Sequence, residues 1–111
     1  MRQVYHDQIR DGLRELSSLE MQRRLWLSTG ELEWSSLEEA TCRLFDDSGL
    51  EVAFDKGETV FNPEADKQLR RLGAQLQSID MTRTPSDLIE DPAMEQVRVT
   101  ARQLLKDLYD E

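Results

Sequence analysis

Asp46 and Asp47 stand side by side in this chain, and Ser48, Glu51 and Asp55 follow within the next eight residues. Oxygen ligands at short intervals are what a hard divalent cation takes. A calcium loop of the EF-hand type needs glycine at its sixth position, for a sharp turn, and a bidentate glutamate at its twelfth. Counted from Asp46, glycine falls fourth and the twelfth residue is Gly57; starting from Asp47 or Asp55 also fails. What remains is magnesium held by one or two carboxylates, the basis of a magnesium-dependent enzyme centred on Asp46, Asp47 and Glu51. Adjacent aspartates are common, so this reading ranks last, and no metal or cofactor is expected.

The other reactive side chains are solitary. His6 is the only histidine and Cys42 the only cysteine, so a catalytic dyad or a zinc set lacks its further members. His6, beside Asp7, reads as a surface or helix-start residue. A reactive thiolate needs an electropositive setting. Cys42 has Glu38, Glu39, Asp46 and Asp47 nearby in sequence, which suits a small, partly buried hydrophobe instead. There is no glycine-rich phosphate loop, Walker pattern or nucleophile elbow. The expectation is a protein that is not an enzyme.

The element that positions the two aspartates runs from Ser35 to Leu50. Ser35 and Ser36 each have a glutamate three residues later, Glu38 and Glu39, the spacing of a reciprocal capping box. Leu37, Thr41, Leu44 and Phe45 recur on one helical face, and Gly49 followed by Leu50 has the form of a left-handed stop with a hydrophobic fold-back. Asp46 and Asp47 thus fall in the last turn, where the helix dipole is negative and an unpaired carboxylate costs roughly 0.3–1 kcal/mol. Two readings follow. Arg43, three and four residues before them, offers an in-helix ion pair worth roughly 0.2–0.5 kcal/mol, with Arg23 and Arg24 as further cations. Otherwise Asp46, Asp47 and Glu51, together with Asp87, Glu90 and Asp91, are an acidic surface for a partner.

At 111 residues with 38% hydrophobic and 33% charged side chains, the chain suits one domain, residues 1–111, with a single core. A net charge of −9 argues against nucleic acid, since phosphate binding needs a basic footprint, and against docking on anionic lipid. It is compatible with simple solubility, and in the sharper reading it steers the protein onto a basic partner. A single cysteine points to a reducing compartment. The polar Met1–Asp7 segment lacks the apolar core of a signal peptide, and no apolar run nears the ~20 residues of a membrane span. A cytoplasmic location is expected.

Hydrophobic spacing supplies the rest of the frame. Tyr5, Ile9, Leu13, Leu16 and Leu19 form one helical stripe, which Ser17-Ser18 can interrupt, with Gly12 a mild weak point. Ala65, Leu69, Leu72, Leu76 and Ile79, behind an Asn62-Pro63 start, form a second. Lys67, Arg70 and Arg71 lie off that seam as the densest basic patch. Met94, Val97, Ala101, Leu104 and Leu108, behind Asp91-Pro92, form a third, widened by Leu105. These two later seams should pack together. Ser86–Ile89 gives one helical turn. The expected fold is mainly α, a small four-helix bundle-like domain with ordered loops. In the loop over 25–34, Trp26 or Trp34 plugs the core. The alternative is α+β, in which 25–34 and 52–61, each an apolar triplet on either side of a turn, form short hairpins.

Arg23-Arg24-Leu25-Trp26, Leu44–Asp47, Gly57–Val60, Leu69, Leu72, Gly73, Leu76, Asp87, Pro92, Val97 and Ala101 occur in one order over Arg23–Leu108. In this the chain resembles a family of small uncharacterised bacterial proteins frequent in actinobacteria, whose members often carry tryptophan where Met94 stands. The resemblance implies a single domain and no particular activity. Over Ser86–Pro92 the chain also resembles the segment that forms the short third helix of the colicin nuclease immunity proteins. Those are acidic, four-helix inhibitors of a basic toxin. Glu90 and Asp91 stand where that family has its two binding tyrosines, so its aromatic anchors are missing.

Taken together, these observations predict a non-enzymatic protein–protein interaction module, in its sharpest form an immunity- or antitoxin-like inhibitor of a basic partner. The runner-up is a homo-oligomeric structural or regulatory module, a homodimer in which the Leu69–Ile79 or Leu104–Leu108 seam pairs between chains.

Overall fold

The computed structural model describes residues 4–28 and 34–111, and every regular element among them is helical. Helix α1 (His6–Ser17) gives way to α2 (Leu19–Trp26) at Ser18, whose extended backbone ends one helix while its hydroxyl accepts the Met21 N–H at 3.0 Å to start the next. The interruption expected at the serine pair is therefore present. Ile9, Leu13 and Leu16 are fully buried on the α1 stripe.

The central helix begins as expected. Of the two candidate serines, Ser36 is the cap, accepting the Glu39 N–H at 3.0 Å. Helix α3 (Leu37–Cys42) then continues without a break into a π-helical turn, Arg43–Asp47. Ser48, completely buried, donates its hydroxyl to the Leu44 carbonyl and accepts the Leu50 N–H at 3.1 Å. Gly49 is left-handed, with φ of 83°, as its position predicts. It does not end the helical region, however. Leu50 is fully buried and opens a further helix, α4 (Leu50–Asp55).

That finding overturns the hairpin reading of 52–61. Val52, Ala53 and Phe54 lie in α4, and Ala53 points into the core beside Leu50. Val60 and Phe61 are held by their N–H groups, which donate to the buried carboxylate of Asp66 at 2.8 and 3.0 Å, not by a paired strand. In 25–34, Leu25 and Trp26 close α2, and Ser35 donates its N–H to the Leu25 carbonyl at 3.0 Å. The turn proposed there is Ser-Thr-Gly-Glu over 28–31, and residues 29–33 lie outside the described residues. Trp26 is the core plug at 4% exposure, whereas Trp34 is 62% exposed. Among the described residues there is no strand, so the fold is mainly α and bundle-like.

Helix α5 (Pro63–Gln77) starts with the Asn62 side chain accepting the Ala65 N–H at 2.8 Å and proline in the first turn. Its whole predicted seam, Ala65 to Ile79, is buried. A short α6 (Pro85–Glu90), capped by Thr84, precedes α7 (Pro92–Tyr109), where Asp91 accepts the Ala93 N–H at 2.8 Å. The α7 seam is buried from Met94 to Leu105, with Leu108 half-buried. Helix α7 packs against both α1 and α5, and α1 packs in turn against the π turn. A Cβ added to Gly12 would stand 2.9 Å from the Leu44 Cβ and 3.1 Å from its Cα. Gly12 is thus the place where α1 and the π turn come into backbone contact, which outweighs its poor helix propensity. Among the described residues no helix is long and apolar enough to cross a membrane.

Candidate functional site

The two aspartates that break the dipole rule are both exposed, and no ion pair or hydrogen bond engages their side chains among the described residues. Arg43 does not pair with them. It reaches across to α1, where Nη1 donates to Glu15 Oε1 at 2.9 Å. Glu15 is 2% exposed and also accepts the Trp26 indole N–H, through Oε2, at 2.7 Å. A carboxylate removed from water gains far more from a cation and a donor than one that stays hydrated, so Glu15 wins the competition for Arg43.

Beside the aspartates, the π turn, α4 and α5 enclose an open groove with a cavity volume of about 370 Å³. Consecutive residues of the π turn serve different neighbours. Leu44 is buried against Gly12, and Phe45 lies against Gly73, where an added Cβ would come 3.3 Å from the ring. Helix α4 contributes Phe54, with Glu51 and Asp55 at the rim. Arg70 closes the opposite side, its guanidinium carbon 4.3 Å from the Phe54 ring centroid, a cation–π contact. The α5 wall is Arg70, Gly73, Ala74, Leu76 and Gln77, and all but the buried Leu76 stand at i, i+3, i+4 and i+7, which is one face of that helix.

Of the six residues singled out by sequence, only Glu51 lines this groove. Asp46 and Asp47 stand just ahead of it in the chain, at the end of the π turn. Asp87 and Glu90 belong to α6, which packs on α2 and α7, and Asp91 stands between α6 and α7, so the six are divided between two regions. Asp87 and Glu90 are exposed, but Asp91 is occupied. It caps α7 and pairs with Arg83, and these two donors, the Ala93 N–H first, hold its carboxyl below the ordinary aspartate range. Phe45, Phe54, Gly73 and Ala74 were not singled out as site residues. The off-seam pair Gly73-Ala74 was their one signal in the sequence, because two small residues in a helix surface invite close approach.

Cys42 is half-buried, and burial, followed by the charges of Asp46, Glu38, Asp47 and Glu39, pushes its thiol up from the ordinary value. The carboxylates therefore act on it as expected, against thiolate formation. His6 sits at the start of α1 with its ring edge-on to Phe61, the centroids 5.1 Å apart. Among the described residues no three His, Cys, Asp or Glu side chains converge in a way that could hold a metal ion.

Comparison with family models, with curated proteins and with solved structures found no match. Fold and site together define a mainly α-helical, bundle-like domain that carries an apolar groove with an acidic rim.

Proposed function

We propose that this chain is a non-enzymatic protein–protein interaction domain that engages a basic partner through the acidic face formed by Asp46, Asp47, Glu51 and Asp55. One observation carries the reading. These four carboxylates and Glu58 are exposed and have no hydrogen bond or ion pair among the described residues, whereas the buried carboxylates Glu15 and Asp66 are fully engaged. Charge with no internal use, on a chain of net charge −9, steers and orients a cationic surface. The sharper version, an immunity- or antitoxin-like inhibitor acting in the cytoplasm of a bacterium, draws on the likeness over Ser86–Pro92 and on the single cysteine. Asp87 and Glu90 on α6 would then be a second contact.

Affinity purification from the source cells, repeated from low to high salt with the native chain and with Asp46→Lys/Asp47→Lys/Glu51→Lys, tests it. The expected result is a basic protein retained at low salt by the native chain and lost with the charge-reversed variant. Recovery of no basic protein, or equal recovery by both chains, overturns it. The homodimer alternative has less support, because Leu69, Leu72, Leu76 and Leu104 are buried within the chain. A magnesium-dependent enzyme has none beyond the Asp46-Asp47 pair itself.

A further inference from the structure

We infer that the groove between the π turn, α4 and α5 is a helix-binding groove, and that its occupant is a short amphipathic helix of the basic partner, seated apolar face down with its cationic residues over Glu51 and Asp55. This rests on the acidic-face reading above and adds to it a site, a bound conformation and a register.

The shape argues for a helix. Gly73 and Ala74 lie together at the middle of the α5 wall, with Arg70 and Gln77 at either end. Those four positions span eight residues of α5, seven steps or about 10 Å at 1.5 Å per residue, or two turns of a helix laid alongside. Gly73 is already covered by the Phe45 ring, and the small, exposed side chain of Ala74 beside it lets a second backbone approach closely. The facing wall, Phe45 and Phe54, is aromatic, and such a surface receives side chains at i, i+3, i+4 and i+7.

The charges argue for its sign and direction. Glu51 and Asp55 are one turn apart on α4 at the groove's edge, and exposed Asp46 and Asp47 precede them in the chain at the end of the π turn. The single cation in the lining, Arg70, is on the opposite wall and lies over Phe54. A helix with lysine or arginine on the α4 side and a polar or acidic residue on the α5 side matches both edges, whereas an acidic helix meets like charge along α4.

The test uses the full chain, isotopically labelled, and three synthetic 14-residue peptides. One is an amphipathic helix of leucine and lysine; the second replaces lysine by glutamate; the third has the first peptide's composition in scrambled order. Amide shifts and fluorescence anisotropy report position and affinity. The leucine–lysine peptide is expected to move the resonances of Thr41, Phe45, Gly73 and Ala74, and to bind at least tenfold more tightly than either control. Ala74→Trp places a large ring in the groove from an exposed position, so the fold is retained and binding should fall at least tenfold. Glu51→Lys/Asp55→Lys should cause a similar loss and improve binding of the leucine–glutamate peptide. Asp87→Lys, on α6, should change affinity less than twofold.

Equal binding of the scrambled peptide, or shifts outside the groove, overturns the inference in favour of diffuse charge attraction. Groove resonances that move with protein concentration alone assign the site to a second copy of this chain and also overturn it. If the native partner is lost on charge reversal but still bound by Ala74→Trp, the acidic-face reading stands and the groove falls.

Discussion

Arg98 Nη1 donates to Gln22 Oε1 at 2.7 Å, joining two buried side chains 76 residues apart. Gln22 uses its amide nitrogen in the other direction, donating to the Glu15 and Leu16 carbonyls at 3.1 and 2.9 Å. Those carbonyls belong to the last turn of α1, where backbone donors run out and the Glu15 carbonyl otherwise receives only the Ser18 N–H, at 3.4 Å. One glutamine thus closes the end of α1, from its place in α2, and anchors α7 through a guanidinium that also reaches the Ile89 carbonyl and Glu95. Next to it, Glu15 gathers Trp26 and Arg43. The bundle's register is set by this polar seam as much as by its leucines.

Gln22→Leu should therefore lower stability by about 1–3 kcal/mol, since it leaves a buried guanidinium nitrogen and the Leu16 carbonyl without this partner, while Arg98 keeps Glu95 and the Ile89 carbonyl. Arg98→Met should cost a comparable amount by leaving the glutamine oxygen unpaired. The double variant should cost clearly less than the sum, because the second change removes a group the first had left unsatisfied. Urea unfolding of the four proteins measures this. Strict additivity would refute the coupling.

Gly12→Ala raises helix propensity by roughly 1 kcal/mol and yet should destabilise the protein by about 1–3 kcal/mol net, the scale of overpacking in a filled core. Its new methyl meets the Cβ and backbone of Leu44, which have no side-chain freedom to yield. Gly73→Ala meets only the end of the Phe45 ring, at 3.3 Å, on an open groove, and should be neutral or slightly stabilising. Thermal melts of the two variants decide it, and equal losses would argue against a backbone contact at Gly12.

Asp46→Asn/Asp47→Asn should leave stability unchanged or raise it, by up to about 1 kcal/mol, through relief of the helix C-terminal dipole. Arg43→Met should lower it by about 1–3 kcal/mol, because Glu15 keeps only the indole N–H. With Arg43 about one-third exposed (32%), the lower end is expected. Denaturant unfolding distinguishes the two, and an equal loss in both variants would restore the pairing of Arg43 with the aspartates.

Acid should weaken the fold through particular carboxyls. Asp91 is held below its ordinary value of 3.8 by the Ala93 N–H and then Arg83, and Glu111 below 4.5 by Arg14. A carboxyl depressed in the folded state contributes stability above its ordinary value and loses it as pH falls through the depressed one. The melting temperature should thus fall on acidification through and below that range. Relief of the −9 self-repulsion acts in the opposite sense, so the readout is the slope relative to variants. Asp91→Asn keeps a capping oxygen and Glu111→Gln keeps a donor-accepting amide, and each should flatten the acid limb. Unchanged slopes in both would exclude these groups.

Features encoded within a few residues were legible before the structure. Ser36, Asn62 and Asp91 cap as their spacing implies, and the seams from Ala65 to Ile79 and from Met94 to Leu105 are buried. Six-residue α4 was not legible, because Val52–Phe54 is too short to separate a helical period from a strand and Gly49 reads as a stop whether or not a helix follows. Arg43 has Asp46 and Asp47 within reach along its own helix and turns instead to a carboxylate 28 residues away. Burial of Glu15, Gln22 and Arg98 is set by tertiary packing, and no local pattern marks it. The site shows the same division. The acidic run was visible, but the groove needs Phe45, Phe54 and Gly73 brought together from three helices.

The placement of α7 against both α1 and α5 also has a consequence for biosynthesis. While the ribosome is still translating residues 78–91, the apolar stripes of α1 and α5 already exist as chain, and the surface that will cover them has not been made. Folding of this core is therefore completed late, when residues 92–109 clear the exit tunnel. Until then the nascent chain presents Ile9, Leu13, Leu69 and Leu72 without their final cover, a substrate for chaperones that bind short apolar segments.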